Sequence, residues 1–293
     1  MRRLIAVFLL TVPVLAVLCA VDEAIGNAKI KTIKVSDSRE FLEALDSDRI
    51  IELKPGKYNL SEWDPIFNNQ PEQAPPYSNL KSKGSPKLAK GVSWSREPFD
   101  GGELVLTGIK NLTIRGMDAK SKSEIIVDPR YAFVLKFVKC SNIVIERLTV
   151  GHSEGGYCMG GVFGFADSSR ITITGTNMYG CGTVGLELLN VSDMKIISSQ
   201  IYECTYRIMT VVYGSNIAFE KCVFRDNQEF TLVGVSGTKN ISFANCEFIN
   251  NKGEMFIVVD TTVSVSDSTF KGNRTERPIK DSSNVSFKNC AFD

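Results

Sequence analysis

Residues 193–224 read DMKIISSQIYECTYRIMTVVYGSNIAFEKCVF. Asp193 opens a short alternation in which Met194 and Ile196 flank Lys195, and Ile201 follows five residues later. A second alternation, Met209 and Val211, leads to a turn and to Asn216, where the pattern restarts with Ile217 and Phe219. Alternation with period two marks a strand with one buried face. One repeat therefore holds three short strands separated by turns. Its opening position recurs as Asn111, Asn142, Arg170, Asp193, Asn216, Asn240, Thr262 and Asn284, at spacings of 31, 28, 23, 23, 24, 22 and 22 residues. A period of this size is the signature of a solenoid.

Working outward, the same columns fill from Phe133 to Phe292. After the opening position come Leu112/Ile114, Ile143/Ile145, Ile171/Ile173, Ile241/Phe243, Val263/Val265 and Val285/Phe287. The third strand position is Val150, Met178, Ile201, Phe224, Phe248, Phe270 and Phe292. Before each turn the inward pair reads Leu135/Phe137, Phe163/Phe165, Leu186/Leu188, Met209/Val211, Val233/Val235 and Met255/Ile257. A coil this short cannot close a core alone. It can stack on its neighbour, each strand pairing in parallel with its counterpart one coil on, about 4.8 Å away. A β-sandwich of short strands is the alternative, and it leaves the fixed column unexplained. Asparagine suits that column because it tolerates left-handed backbone and bonds nearby main-chain groups. A second turn column runs Ser153, Cys181, Cys204, Asn227, Asn251 and Asn273.

These columns resemble the pectin-lyase-like superfamily of right-handed parallel β-helices. The resemblance is to the fold and covers most of the chain. It implies an all-β, right-handed, three-stranded-per-coil parallel β-helix with a short amino-terminal capping helix. Lys31–Val35 reads as a strand, and Asp37 with Glu40 as a capping box opening a helix whose Phe41, Leu42 and Leu45 share a face. Ile50–Leu53 is the expected first coil strand, with Lys54-Pro55-Gly56-Lys57 as its turn. Enzymes of the superfamily carry motifs this sequence lacks. There is no Asn-Thr-Asp run or Gly-His-Gly of the polygalacturonase kind, and no Trp-x-Asp-His or Arg-x-Pro-x-x-Arg of the pectate-lyase kind. Asn111-Leu112-Thr113-Ile114-Arg115-Gly116 resembles an early structural coil of those lyases.

Arg2 and Arg3 precede an apolar run, Leu4–Leu18, and then small residues, which predicts a signal peptide over 1–20 cleaved after Ala20. An uncleaved anchor, or a lipoprotein through Cys19, is the alternative, and is the one expected link to a membrane. Residues 21–293 then form one β-helix domain, placed in the secreted, periplasmic or cell-surface space. Cleavage removes two of 34 basic residues against 33 acidic ones, so the formal charge falls from +1 to −1. No basic stripe is present, and nucleic acid is not an expected partner. No cofactor is expected, and no metal, because Cys-x-x-Cys is missing and His152 is the sole histidine. Seven cysteines lie beyond residue 20, an odd number, and are read as buried free thiols. Asn59, Asn111, Asn190, Asn240, Asn273 and Asn284 begin Asn-x-Ser/Thr triplets, which a turn asparagine and an outward hydroxyl produce by construction.

Two segments interrupt the rhythm. Residues 61–101 hold six of ten prolines and both tryptophans. Residues 151–161 hold five glycines, His152 and Tyr157. Outward positions on the pre-turn strand include Lys136, Gly164, Glu187, Thr210 and Gly234, with Tyr206 and Arg207 just ahead of it. One polar groove is therefore expected, with Lys136, His152, Glu187 and Arg207 as candidate catalytic residues: cations to neutralise a sugar carboxylate, the others to move a proton. Trp63, Trp94, Tyr157 and Tyr206 are the candidate sugar-stacking residues. The expected partner is an extended polysaccharide, bound or processed along a coil face. The alternatives are a non-catalytic glycan-binding module and an assembly protein that self-associates through an open carboxy-terminal coil.

Overall fold

The computed structural model describes residues 30–69, 84–96, 101–118, 122–129, 131–153, 160–180 and 184–293. The signal segment, Tyr157, Cys158 and Cys181 lie outside the described residues. Three sheets wrap one hydrophobic tube. Sheet A has ten strands, from Lys31–Val35 and Arg49–Leu53 to Val285–Lys288. Sheet B has nine, from Gly56–Asn59 to Ala291–Phe292, and sheet C has eight, from Val92–Arg96 to Lys252–Val259. Like columns pair with like: Ile143, Ile171, Met194, Ile217, Ile241 and Val263 stand opposite one another in sheet A. The exception to parallel pairing is Val92–Arg96, which lies antiparallel on Gly102–Thr107 and finishes the edge of sheet C.

Inside, identical residues stack coil on coil. Phe224, Phe248, Phe270 and Phe292 stack at 4.8, 4.6 and 5.0 Å between ring centroids. Phe219 on Phe243 and Phe137 on Phe165 do the same at 4.6 and 4.8 Å. Such offset stacks add to the area they bury.

The corners explain the polar columns. Each bends through a left-handed residue, such as Asp167, Asn190, Ser198, Lys221 or Asn250. The following N–H points into the wall and needs an acceptor. The next coil supplies it: Cys140 N donates to Ser168 Oγ, Cys246 N to Ser268 Oγ, Gly214 N to Thr238 Oγ1, and Cys204 N to Asn227 Oδ1. The opening column is left-handed too, from Asn111 to Asn284, and even Arg170 is held at φ 54°. Thr262 is the exception, since a β-branched side chain resists that conformation. Outside, the amides form a rail: Asn240 donates to Asn216 and Asn216 to Asp193, while Asn142 donates to Asn111 and Asn111 to Asp48. All six sequon asparagines spend their side-chain amide nitrogen on such bonds.

The amino-terminal end is covered by the helix Ser38–Ala44. Asp37 Oδ1 caps Glu40 N at 2.8 Å, and Glu40 reaches back one residue further than expected, to Ser36 N at 2.8 Å and its hydroxyl at 2.7 Å. Those bonds pull the Glu40 carboxyl below its usual range. Phe41, Leu42 and Leu45 are fully buried. The strand Lys31–Val35 is part of sheet A, paired with Arg49–Leu53. The expected four-residue turn is shorter, because Gly56 and Lys57 already belong to sheet B.

One inward pair is corrected. Opposite Val233 and Val235 stand Phe256 and Val258, which are buried, and Ile257 points out. The corner from Val259 to Val263 is one residue shorter than its predecessor, and a one-residue shift turns a strand over. Cys140, Cys222 and Cys246 are buried free thiols, Cys204 is buried, and Cys290 is half-buried and free. Cys222 Sγ donates to the Ile196 and Glu220 carbonyls. Its neighbour Cys246 and burial together push the Cys222 thiol far up.

Candidate functional site

The insertions are not scattered. Sheet A passes to sheet B through two residues in most coils, as between Glu146 and Thr149 or Ile197 and Gln200. In the earlier coils sheet B passes to sheet C through longer stretches, from Asn59 to Val92, from Val127 to Leu135, from His152 to Gly161 and from Tyr202 to Arg207, whereas Arg225 to Gln228 and Ile249 to Lys252 again take two residues. The described ends of these connections lie at the edge between sheets B and C. Loops set beside a rigid wall are where solenoids place binding residues.

The central outward column of that face reads Val105, Lys136, Gly164, Glu187, Thr210, Gly234 and Ile257, in register. Lys136 Nζ bonds Glu103 Oε1 at 2.8 Å and lies 5.4 Å from the centre of the Phe133 ring. Gly164, between Lys136 and Glu187 in the column, is buried beneath the Lys136 stem and the Phe133 ring. Glu187 reaches solvent, yet the wall partly desolvates its carboxyl. That desolvation raises its pKa, with Lys136 and Arg207 opposing and Glu103 reinforcing the rise. Arg207 Nη1 bonds Thr210 Oγ1 at 3.0 Å and leans over Gly234, where no side chain occupies the floor.

Lys136, Glu187 and Arg207 are thus brought together, as the fixed offset in the repeat predicts. Glu103 is the member that sequence reasoning missed. Its signal was alternation with the inward Leu104 and Leu106, obscured because the insertion had just broken the period.

The remaining candidates sit elsewhere. His152 is the last residue of its sheet B strand and only 2% exposed. Its Nε2 lies 2.9 Å from the Ala132 carbonyl oxygen, and its Nδ1 has no partner. Burial lowers its pKa to about 4, against the pull of that carbonyl and of Asp128. It is a wall residue and no part of the charged cluster. Trp63 is also no sugar platform: its Nε1 donates to Ser38 Oγ at 3.0 Å and the Arg39 guanidinium covers the ring at 5.6 Å, tying the insertion to the capping helix. Trp94 stands opposite Leu104 on the inward side and packs against the core. The insertion itself is pinned by buried Asp64, which accepts from Gly102 N at 2.7 Å and Ile66 N at 2.8 Å and whose pKa burial raises. Tyr206 precedes Arg207 in the chain, its ring 4.5 Å from that of Phe230.

A second outer groove, about 570 Å³, runs along sheet A between the amide rail and Thr172, Lys195, Ala218 and Ser242. No group of histidine, cysteine or acidic side chains able to hold a metal occurs among the described residues. No helix among them is long and apolar enough to cross a membrane.

The sequence model of the right handed beta helix region matches residues 100–273. No curated protein matches the chain. Among solved structures, the pectate lyase pelN from Paenibacillus sp. 0602 is similar with a TM-score of 0.56 and 11% identity, over 91% of this chain and 79% of that one. The pectate lyase Bsp165PelA from Bacillus sp. N165, solved in complex with trigalacturonate, is similar with a TM-score of 0.53 and 11% identity, over 91% and 83%. At that identity the likeness concerns the path of the backbone alone. The family match spans more than half of the 293 residues, and together with the three parallel sheets it makes this chain a member of the right-handed β-helix family.

Proposed function

We propose that the chain binds an extended acidic polysaccharide along the outer face of sheet C and acts on it there. The observation that carries this reading is the convergence of Glu103, Lys136, Glu187 and Arg207 on one wall, the outer face of sheet C. Stacked coils repeat their side chains at a fixed interval, which suits a polymer with its own regular repeat. Arg207 and Lys136 supply the positive charge that holds sugar carboxylates. Glu187, whose pKa is raised, is the group placed to accept or return a proton. Elimination suits this set better than hydrolysis by two carboxylates, because Glu103 is already engaged by Lys136. We also infer export, on the strength of Arg2, Arg3 and the Leu4–Leu18 run.

The test is a panel of acidic and neutral polysaccharides, read by ultraviolet absorbance of unsaturated products, by reducing ends and by retention in affinity gels. Glu187→Gln is expected to lower turnover about 10²-fold or more while leaving retention intact. Arg207→Ala is expected to weaken retention. No product and no retention on any member of the panel sinks the reading.

A further inference from the structure

The strands of sheet C have an unusual composition for an outer wall. Val162-Phe163-Gly164-Phe165-Ala166, Ile208-Met209-Thr210-Val211-Val212 and Met255-Phe256-Ile257-Val258-Val259 are nearly unbroken apolar runs. Strands that read so are normally covered on both faces. The outward side carries a second column beside the charged one: Val138, Ala166, Leu189, Val212, Ser236 and Val259, in register. Leu189, Ile257, Val259 and Phe230 each leave about half their surface in water, and Tyr213 leaves 67%. A contiguous apolar face of this kind marks a binding surface.

The two columns meet in a shallow slot of about 200 Å³. Its floor is Gly234, Arg207 and Thr210 stand at one end, and Ile257 and Val259 at the other. We propose, building on the polysaccharide reading of this groove, that its substrate class is an O-acylated acidic glycan. The acid of a sugar residue pairs with Arg207, and the small acyl group of the same or the next residue covers Ile257 and Val259. The slot is too shallow for a long lipid chain and is continuous with the cationic end, so one ligand has to satisfy both chemistries at once. Gly234 keeps the floor clear beside Thr210, which lets a ring lie close to the wall there.

The experiment compares retention of one O-acetylated polyuronate with the same sample after mild alkaline removal of its acetyl groups. The wild-type chain, an Ile257→Ser/Val259→Ser double variant and Arg207→Ala are run side by side. The substituted apolar side chains are half in water, so the double variant should melt with the parent. The wild type is expected to bind the acetylated sample about three- to tenfold more tightly, the scale of one or two methyl groups leaving water. The double variant should lose that preference and retain the two samples equally. Arg207→Ala should weaken both. Equal wild-type retention of the two samples overturns this inference and leaves the groove reading standing, whereas retention of neither removes the groove reading itself. A wild-type dimer that the double variant converts to monomer also overturns it, by assigning the apolar face to a second copy.

Discussion

Sheet A and sheet C hang on the same coils and face the same tube, but they present opposite chemistry to water. Along sheet A the outward residues are Thr172, Lys195, Ala218, Ser242 and Ser264, bordered by a rail of side-chain amides. Along sheet C they are Gly164, Glu187, Thr210, Gly234 and Ile257, bordered by Leu189, Val212 and Val259. Sheet A alternates as a half-solvated sheet should, and its neighbouring corners are mostly short. Sheet C alternates less cleanly, because Leu189, Val212, Ile257 and Val259 put apolar side chains on its outer face. The interior demands the same apolar column from both, so the difference is free to record what each outer face meets.

The largest expected effect tests the shared interior. Phe243 faces inward from sheet A, stacks on Phe219 and meets Phe256 of sheet C at 6.2 Å. Phe243→Ala is expected to cost about 3–5 kcal/mol in urea unfolding. A loss below about 1 kcal/mol would mean that the sheets do not share a packed core.

The next tests the corner between sheets B and C. Neutral His152 is buried there with a pKa of about 4, against 6.5 when exposed. Between those values the unfolded chain binds the extra proton, so stability rises with pH across the window. The contribution is fully present above pH 6.5 and is lost as pH falls toward 4, by about 3 kcal/mol at most. His152→Asn should flatten the curve of unfolding free energy between those pH values. An unchanged slope would place the residue in water.

The smallest effect separates the two outer faces. Lys195→Ala on sheet A and Ile257→Ser on sheet C should each change stability by no more than about 0.5 kcal/mol. Only the second should reduce binding of an apolar dye. Equal loss of dye binding from both would erase the distinction between the faces.

Much of this was legible in the sequence because a stack repeats its demands. The Asn111–Asn284 column, the inward pairs of sheet A and the second turn column through Asn227, Asn251 and Asn273 each recur at nearly one offset, and the offset is visible without coordinates. Lys136, Glu187 and Arg207 could be aligned in the same way. The register of Met255–Val259 could not, since five successive apolar residues fit either face and the lost corner residue leaves no mark of its own. His152 misled because a histidine among glycines reads as loop, whereas its neighbours Thr149–Gly151 had already entered a wall. Trp63 misled because the sequence shows the ring and hides the Ser38 and Arg39 groups that occupy it.

The amide columns also have a sense of direction. In the outer rail every side-chain nitrogen gives its proton to an earlier coil, and each run starts at a carboxylate, Asp48 or Asp193, that can only accept. In the inner column the side-chain sense is reversed: Asn227 gives to Asn251, and Asn251 to Asn273, each toward a later coil, while each also gives to an earlier main-chain carbonyl, Ile201 or Phe224. The two columns therefore run in opposite senses on the same coils, so the stack itself imposes neither direction, and the sense of each is set by the group that its first amide meets.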